Sequence, residues 1–145
     1  MLRRALSVSG LVLVLAATGR LAAEPPSGDP RHEVVRAFVE AFNRHDPEAM
    51  VALVDEAVEW LAIDGTQLGL EARGKDALRS SMQRYFASCP TCRSSIASIE
   101  TLNSRVAVLE VASWVVRGEK RAQRALAVYE FRDERIRRVY YFPSE

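Results

Sequence analysis

The chain has 145 residues, 27% of them Asp, Glu, Lys or Arg, and a formal net charge of +1. That near balance removes the electrostatic case for a nucleic-acid partner. The length suits a single domain with one core, and only two histidines and two cysteines are present for metal or thiol chemistry.

Arg3 and Arg4 precede the apolar run Leu11 to Ala17 and then the small residues Ala22 and Ala23, the layout of a secretory signal peptide. Loss of residues 1–23 leaves 122 residues and, because Arg3, Arg4 and Arg20 depart with no acid, a formal charge of −2. The run is too short to span a bilayer, and no later stretch approaches the roughly 18 apolar residues that a span needs. The expected location is periplasmic or secreted, with no membrane association after cleavage. Residues 24–30 read as an extended leader rich in proline. Residues 31–145 read as one domain.

Helix 1 is expected from Glu33 to about Arg44, with Val34, Val35, Phe38, Val39, Ala41 and Phe42 on one stripe. Asp46 and Pro47 have the form of an N-cap and first helical residue, opening a second helix that buries Met50, Val51, Leu53 and Val54. Residues Ala57 to Ile63 lose the helical period: Val58, Trp60 and Ala62 share one face, and Glu59, Leu61 and Ile63 the other. Gly65, Gly69 and Gly74 bracket an expected loop carrying Glu71 and Arg73. A third helix follows from Lys75 to Phe86, burying Leu78, Met82, Tyr85 and Phe86. Beyond Cys92 the chain reads as an antiparallel meander: Ser94 to Ile99, Val106 to Val116, Gln123 to Phe131 and Ile136 to Phe142, with turns at Asn103-Ser104 and Gly118-Glu119. Val106 to Val116 is apolar on both faces, as expected of a strand covered by helices on one side and a second subunit on the other. The arginines near Arg117 and Arg132 alternate with acids and suit solvated turns.

The order helix, helix, strand, helix and meander resembles the NTF2-like cone fold, and its SnoaL-like branch in particular. The residues that carry the resemblance are Phe38 to Phe42 followed by Asn43 and Asp46, then Val58-Glu59-Trp60, Gly74, and Ile136 to Phe142. It implies an α+β domain in which three N-terminal helices pack on a curved antiparallel sheet around an apolar cavity, with homodimerisation through the sheet. Such a cavity suits a small hydrophobic molecule. The fold serves isomerases, cyclases and hydratases as well as binding and assembly modules, so function must be read from the site.

Ketosteroid isomerases, relatives within this fold, use an aspartate base with a tyrosine and a protonated aspartic acid as oxyanion donors. The resemblance places Phe38 where the tyrosine would stand and Ala127 where the second aspartic acid would stand. Trp60 or Leu61 falls at the base, and a slip of one residue would offer Glu59. Both donors are missing. The same register turns Val108, Glu110, Ala112 and Trp114 toward the cavity, with Ala125, Ala127, Tyr129 and Phe131 on the next strand and Arg137, Val139 and Tyr141 on the last.

Glu110 is the candidate catalytic residue. A carboxylate desolvated by Trp114 and Tyr129 would have a raised pKa and could act as a general acid or base, whereas a slipped register would leave it solvated on the outer face. Phe38, Trp60, Trp114, Ala127, Tyr129 and Tyr141 are the candidate ligand-binding lining. Asp64, Glu71 and Arg73 fall at the expected mouth. Cys89 and Cys92 could form a disulfide after export, and their place behind a helix favours a clasp over redox catalysis. His32 and His45 lack metal-ligand spacing and are expected to face solvent, so no metal and no cofactor are expected. Three functions stay open: an exported pocket protein for a small hydrophobic molecule, an acid–base isomerase, cyclase or hydratase using Glu110, and a dimerising interaction module.

Overall fold

The structure, a computed structural model, describes residues 28–143. The expected signal peptide and most of the expected leader lie outside the described residues. Helix α1 spans Pro30–Asn43 and is capped by Asp29, whose carboxylate accepts from the Arg31 backbone N–H at 3.0 Å. Proline at the first helical position lacks only an N–H that would have gone unused, so the helix begins ahead of Glu33. Helix α2 spans Pro47–Ala52, with Asp46 accepting from the Ala49 N–H at 3.0 Å. It is one and a half turns long, and Val54, expected on its buried face, instead starts strand β1.

Strand β1 spans Val54–Asp64 and β2 spans Gln67–Arg73. The segment expected to be a loop is therefore mostly an edge strand, paired antiparallel with β1 from Asp64↔Gln67 to Glu59↔Arg73. Its glycines suggest a loop, yet only Gly65 in the hairpin and Gly74 before the next helix take positive φ, at 56° and 83°. Helix α3 spans Lys75–Ser88 and stops at Cys89, which is joined to Cys92 by a disulfide.

Strands β3 (Arg93–Leu102), β4 (Arg105–Val116), β5 (Glu119–Arg132) and β6 (Arg135–Pro143) form the meander. The β4–β5 hairpin turns on Arg117 and Gly118, both at positive φ (51° and 80°), a type I′ turn whose twist suits the flanking strands. The six strands lie in the order β2-β1-β6-β5-β4-β3. Because β6 returns beside β1 in the same direction, that pair is parallel, and the sheet is not antiparallel throughout.

The helices cover one sheet face. Val35, Phe38, Met50, Leu78, Val106, Val108, Tyr129, Ile136 and Val139 are buried there. Phe38 stands 6.0 Å, centroid to centroid, from both Trp60 and Tyr129, tying α1 to β1 and β5. Tyr85, expected in the core, is 41% exposed, while its neighbour Phe86 takes the buried place.

Candidate functional site

Between the helices and the sheet lies a cavity of about 250 Å³. Glu110 faces it from β4 and is only 6% exposed. An ionised carboxylate so buried is costly unless hydrogen-bonded, and both oxygens are engaged. The Tyr129 hydroxyl donates to Oε1 at 2.7 Å and the Ser94 hydroxyl donates to Oε2 at 2.8 Å. Burial pushes the Glu110 carboxyl above its ordinary pKa, and the two donors pull the other way. Tyr129 is fully inside the core, and burial together with the adjacent Glu110 charge drives its hydroxyl well above the usual tyrosine pKa.

The strands and α1 set this geometry. Ala125 is the cross-strand neighbour of Glu110, and Tyr129 stands four positions further along β5, so only a long side chain on a curved sheet makes the contact. Ser94 is the second residue of β3, where Asn43, the last residue of α1, clamps its backbone: the Asn43 amide donates to the Ser94 carbonyl at 2.8 Å and accepts from its N–H at 2.7 Å. Asn43 thus positions the hydroxyl that holds Glu110. Neither Ser94 nor Asn43 stands out in the sequence as a site residue, since the bracket joins positions 51 apart.

Phe38, Trp60, Tyr129 and Tyr141 all reach the cavity wall, as their strand and helix faces imply. Trp114 does not. It shares the Glu110 face of β4 but lies four residues nearer the hairpin tip, paired with Arg121 and clear of the cavity, so Tyr129 and the core supply the desolvation without it. Ala127 faces inward but is fully buried in packing beside Val108 and contributes nothing to the wall. Arg137 turns outward. The pairing shifts between Glu130 and Phe131, leaving Arg137 as an extra residue of β6, and such a bulge re-aims the side chain. Its guanidinium lies 3.9 Å from Glu130 on the outer face.

A second bulge has the opposite effect on Glu71. Trp60 pairs with Ala72 and Leu61 with Leu70, so Glu71 has no partner position and joins the cavity wall. With the exposed Tyr85 it marks the opening. Arg73 instead pairs with Glu59 at 3.0 Å, and Asp64 sits in the β1–β2 turn region away from the wall. Val39, Phe42, Ser81 and Met82 complete the helical side. The Tyr141 hydroxyl is pushed up to about 12 by burial and by the charge on Glu110, and so stays protonated as a donor facing the cavity.

The histidines are half-buried rather than solvent-facing: His32 meets the Thr101 hydroxyl at 2.8 Å, and His45 stacks on Phe86 and meets the Cys92 carbonyl at 3.0 Å. Among the described residues no three His, Cys, Asp or Glu side chains gather as a metal site, and no helix is long and apolar enough to cross a membrane.

The family model of the SnoaL-like domain matches residues 35–139. The chain belongs to the SnoaL-like family. Among solved structures, Bal32a from a soil-derived mobile gene cassette is similar with a TM-score of 0.69 and 20% identity, over 80% of this chain and 90% of that one. An NTF2-like protein of unknown function from Burkholderia pseudomallei is similar with a TM-score of 0.69 and 20% identity, over 81% and 92% of the two chains. A putative polyketide cyclase from Xanthomonas campestris is similar with a TM-score of 0.61 and 26% identity, over 78% and 89%. No curated protein matches the chain. These likenesses support the NTF2-like fold.

The resemblance to ketosteroid isomerases places Phe38 and Ala127 at the donor positions and Trp60 or Leu61 at the base, and none of these is a carboxylate base or a hydroxyl or carboxylic acid donor. Glu59 does not rescue the base, because it lies on the outer face, bound by Arg138 at 2.7 Å and by Arg73. The buried carboxylate of the cavity, Glu110, comes from a different strand, β4.

Proposed function

We propose that this SnoaL-like protein takes a small, largely apolar molecule into the cavity and moves a proton on it through Glu110, as an isomerase, cyclase or hydratase does. The carrying observation is the placement of Glu110, nearly buried on the cavity wall with each oxygen fixed by a hydroxyl donor. A raised carboxyl pKa brings a glutamate closer to the value at which it both takes and returns a proton. In the ionised form it removes a proton from the carbon beside a substrate carbonyl. Tyr141 donates a hydrogen bond to the carbonyl oxygen where negative charge collects, and protonated Glu110 then returns the proton at a second carbon. The likeness to a putative polyketide cyclase agrees with this class of chemistry.

Proton exchange tests it directly. Small cyclic ketones incubated with the protein in D₂O should gain deuterium at the α-carbon, followed by NMR. Glu110→Gln, checked for folding by circular dichroism, should slow exchange by about 10²-fold or more. An unchanged rate in that variant removes Glu110 from the chemistry.

Binding without turnover is the second reading, favoured by the aromatic wall and by the two hydroxyls already occupying Glu110. A retained ligand in native mass spectrometry, with no deuterium gain in any ketone, would select it. The leader layout of residues 1–23 supports export to the periplasm or beyond. Exposed Val115 and Leu126, on the sheet face away from the helices, support a homodimer through that face.

A further inference from the structure

We propose that the molecule this cavity takes is an organic cation, a protonated or quaternary amine with apolar substituents, seated among the aromatic rings with Glu110 as its counter-charge. The inference rests on the reading of the cavity as the ligand site and names the class of ligand.

Three observations converge on it. The wall carries six aromatic rings, Phe38, Phe42, Trp60, Tyr85, Tyr129 and Tyr141, contributed by α1, α3, β1, β5 and β6. Rings brought from five elements border one space, and an aromatic face turned to such a space attracts a cation. Both acidic residues of the wall, Glu110 within and Glu71 at the opening, are carboxylates, and no Lys, Arg or His lines it. A carboxylate ligand would therefore enter against like charge with no cation to receive it.

The third observation is a contrast between the two buried acids among the described residues, Glu110 and Glu130. Glu130 lies on the outer face with Arg105 at 3.2 Å, Arg138 at 3.5 Å and Arg137 at 3.9 Å. Glu110 receives only the neutral hydroxyls of Tyr129 and Ser94. A buried carboxylate is ordinarily matched by a positive charge, and here the cavity that Glu110 lines is a space from which one can approach. A cationic nitrogen placed there would also acidify the neighbouring C–H bonds, which suits proton transfer to Glu110.

The test uses three probes of one shape: choline, its uncharged carbon isostere 3,3-dimethylbutanol, and the anion 3,3-dimethylbutanoate. Titration calorimetry on the folded protein should give choline an affinity about tenfold above the neutral isostere, with the anion weakest. In Glu110→Gln, whose amide keeps the size of the carboxylate, the choline preference should fall to near unity while 3,3-dimethylbutanol binds as before. Equal or tighter binding of the neutral isostere, tightest binding of the anion, or no choline binding at millimolar concentration overturns the proposal. None of the probes is a ketone that could exchange at an α-carbon through Glu110, so this outcome is separate from the deuterium assay. Exchange that depends on Glu110 with no choline preference would leave acid–base chemistry standing on a neutral substrate. Choline preference without exchange would leave a cation-binding protein.

Discussion

Tyr129→Phe deletes one oxygen from the core and leaves its packing in place, so its effect isolates the hydrogen bond to Glu110. With Glu110 ionised, the variant strands a buried carboxylate oxygen that had accepted at 2.7 Å. A hydrogen bond to a charged group contributes about 2 kcal/mol. With Glu110 protonated in both proteins, the lost donor had served a neutral acid, and the cost is about 1 kcal/mol. The penalty should therefore grow by about 1 kcal/mol as pH rises. The direction follows from linkage. Burial raises the native Glu110 carboxyl above its ordinary 4.5, so the native state binds this proton more readily than the unfolded chain. Wild-type stability from this group is fullest below that ordinary value and falls as pH rises through the native one. Tyr129 holds the native value down; without it the value climbs and the fall extends to higher pH. Urea unfolding at intervals between about pH 4 and pH 8 measures both curves. A destabilisation that is the same at every pH, or a shallower fall in the variant, would refute the assigned coupling.

Two further outcomes concern the frame around the site. Arg117 is exposed and holds a left-handed backbone at φ 51° in the β4–β5 turn; Arg117→Asn, which fits that turn better, should raise stability by about 0.5–1 kcal/mol in thermal unfolding, and a neutral or negative result would contradict the turn assignment. Glu59 is held below its ordinary pKa chiefly by the Arg138 hydrogen bond, so its stabilisation is present above the unfolded value and lost as pH falls through the native one. Glu59→Gln should flatten the acid side of the stability profile, and urea midpoints with the same acid slope in both proteins would show that the pair has no such role.

Much of the frame was legible in the residues themselves. Local signals act within a few residues, and they place α1, α2 and α3 through apolar spacing, α2 also through its Asp46-Pro47 cap, and the meander through alternation and its Asn103 turn; α1 starts at Pro30 rather than Glu33, and the β4–β5 turn falls on Arg117-Gly118 rather than Gly118-Glu119. Strict alternation from Val108 also aims Glu110 inward, because β4 and β5 pair without a break from Arg105↔Glu130 to Val116↔Glu119. Where the pairing shifts, alternation misleads: Arg137 turns out of the expected face at the bulge between β5 and β6, whereas Glu71, expected at the mouth, reaches the wall there from a bulged edge strand rather than a loop.

The sequence by itself determined the family resemblance, the starts of α2 and α3, and the inward aim of Glu110. Tertiary structure alone decided that residues 67–73 form an edge strand, that β6 runs parallel to β1, and that Trp114 and Ala127 stand off the cavity wall. It also decided what holds Glu110. Ser94 and Tyr129 lie 16 and 19 residues from it in sequence, and the clamp from Asn43 spans 51. Such contacts follow from how far the sheet bends and where α1 ends on it, and these are properties of the packed whole that no local pattern encodes.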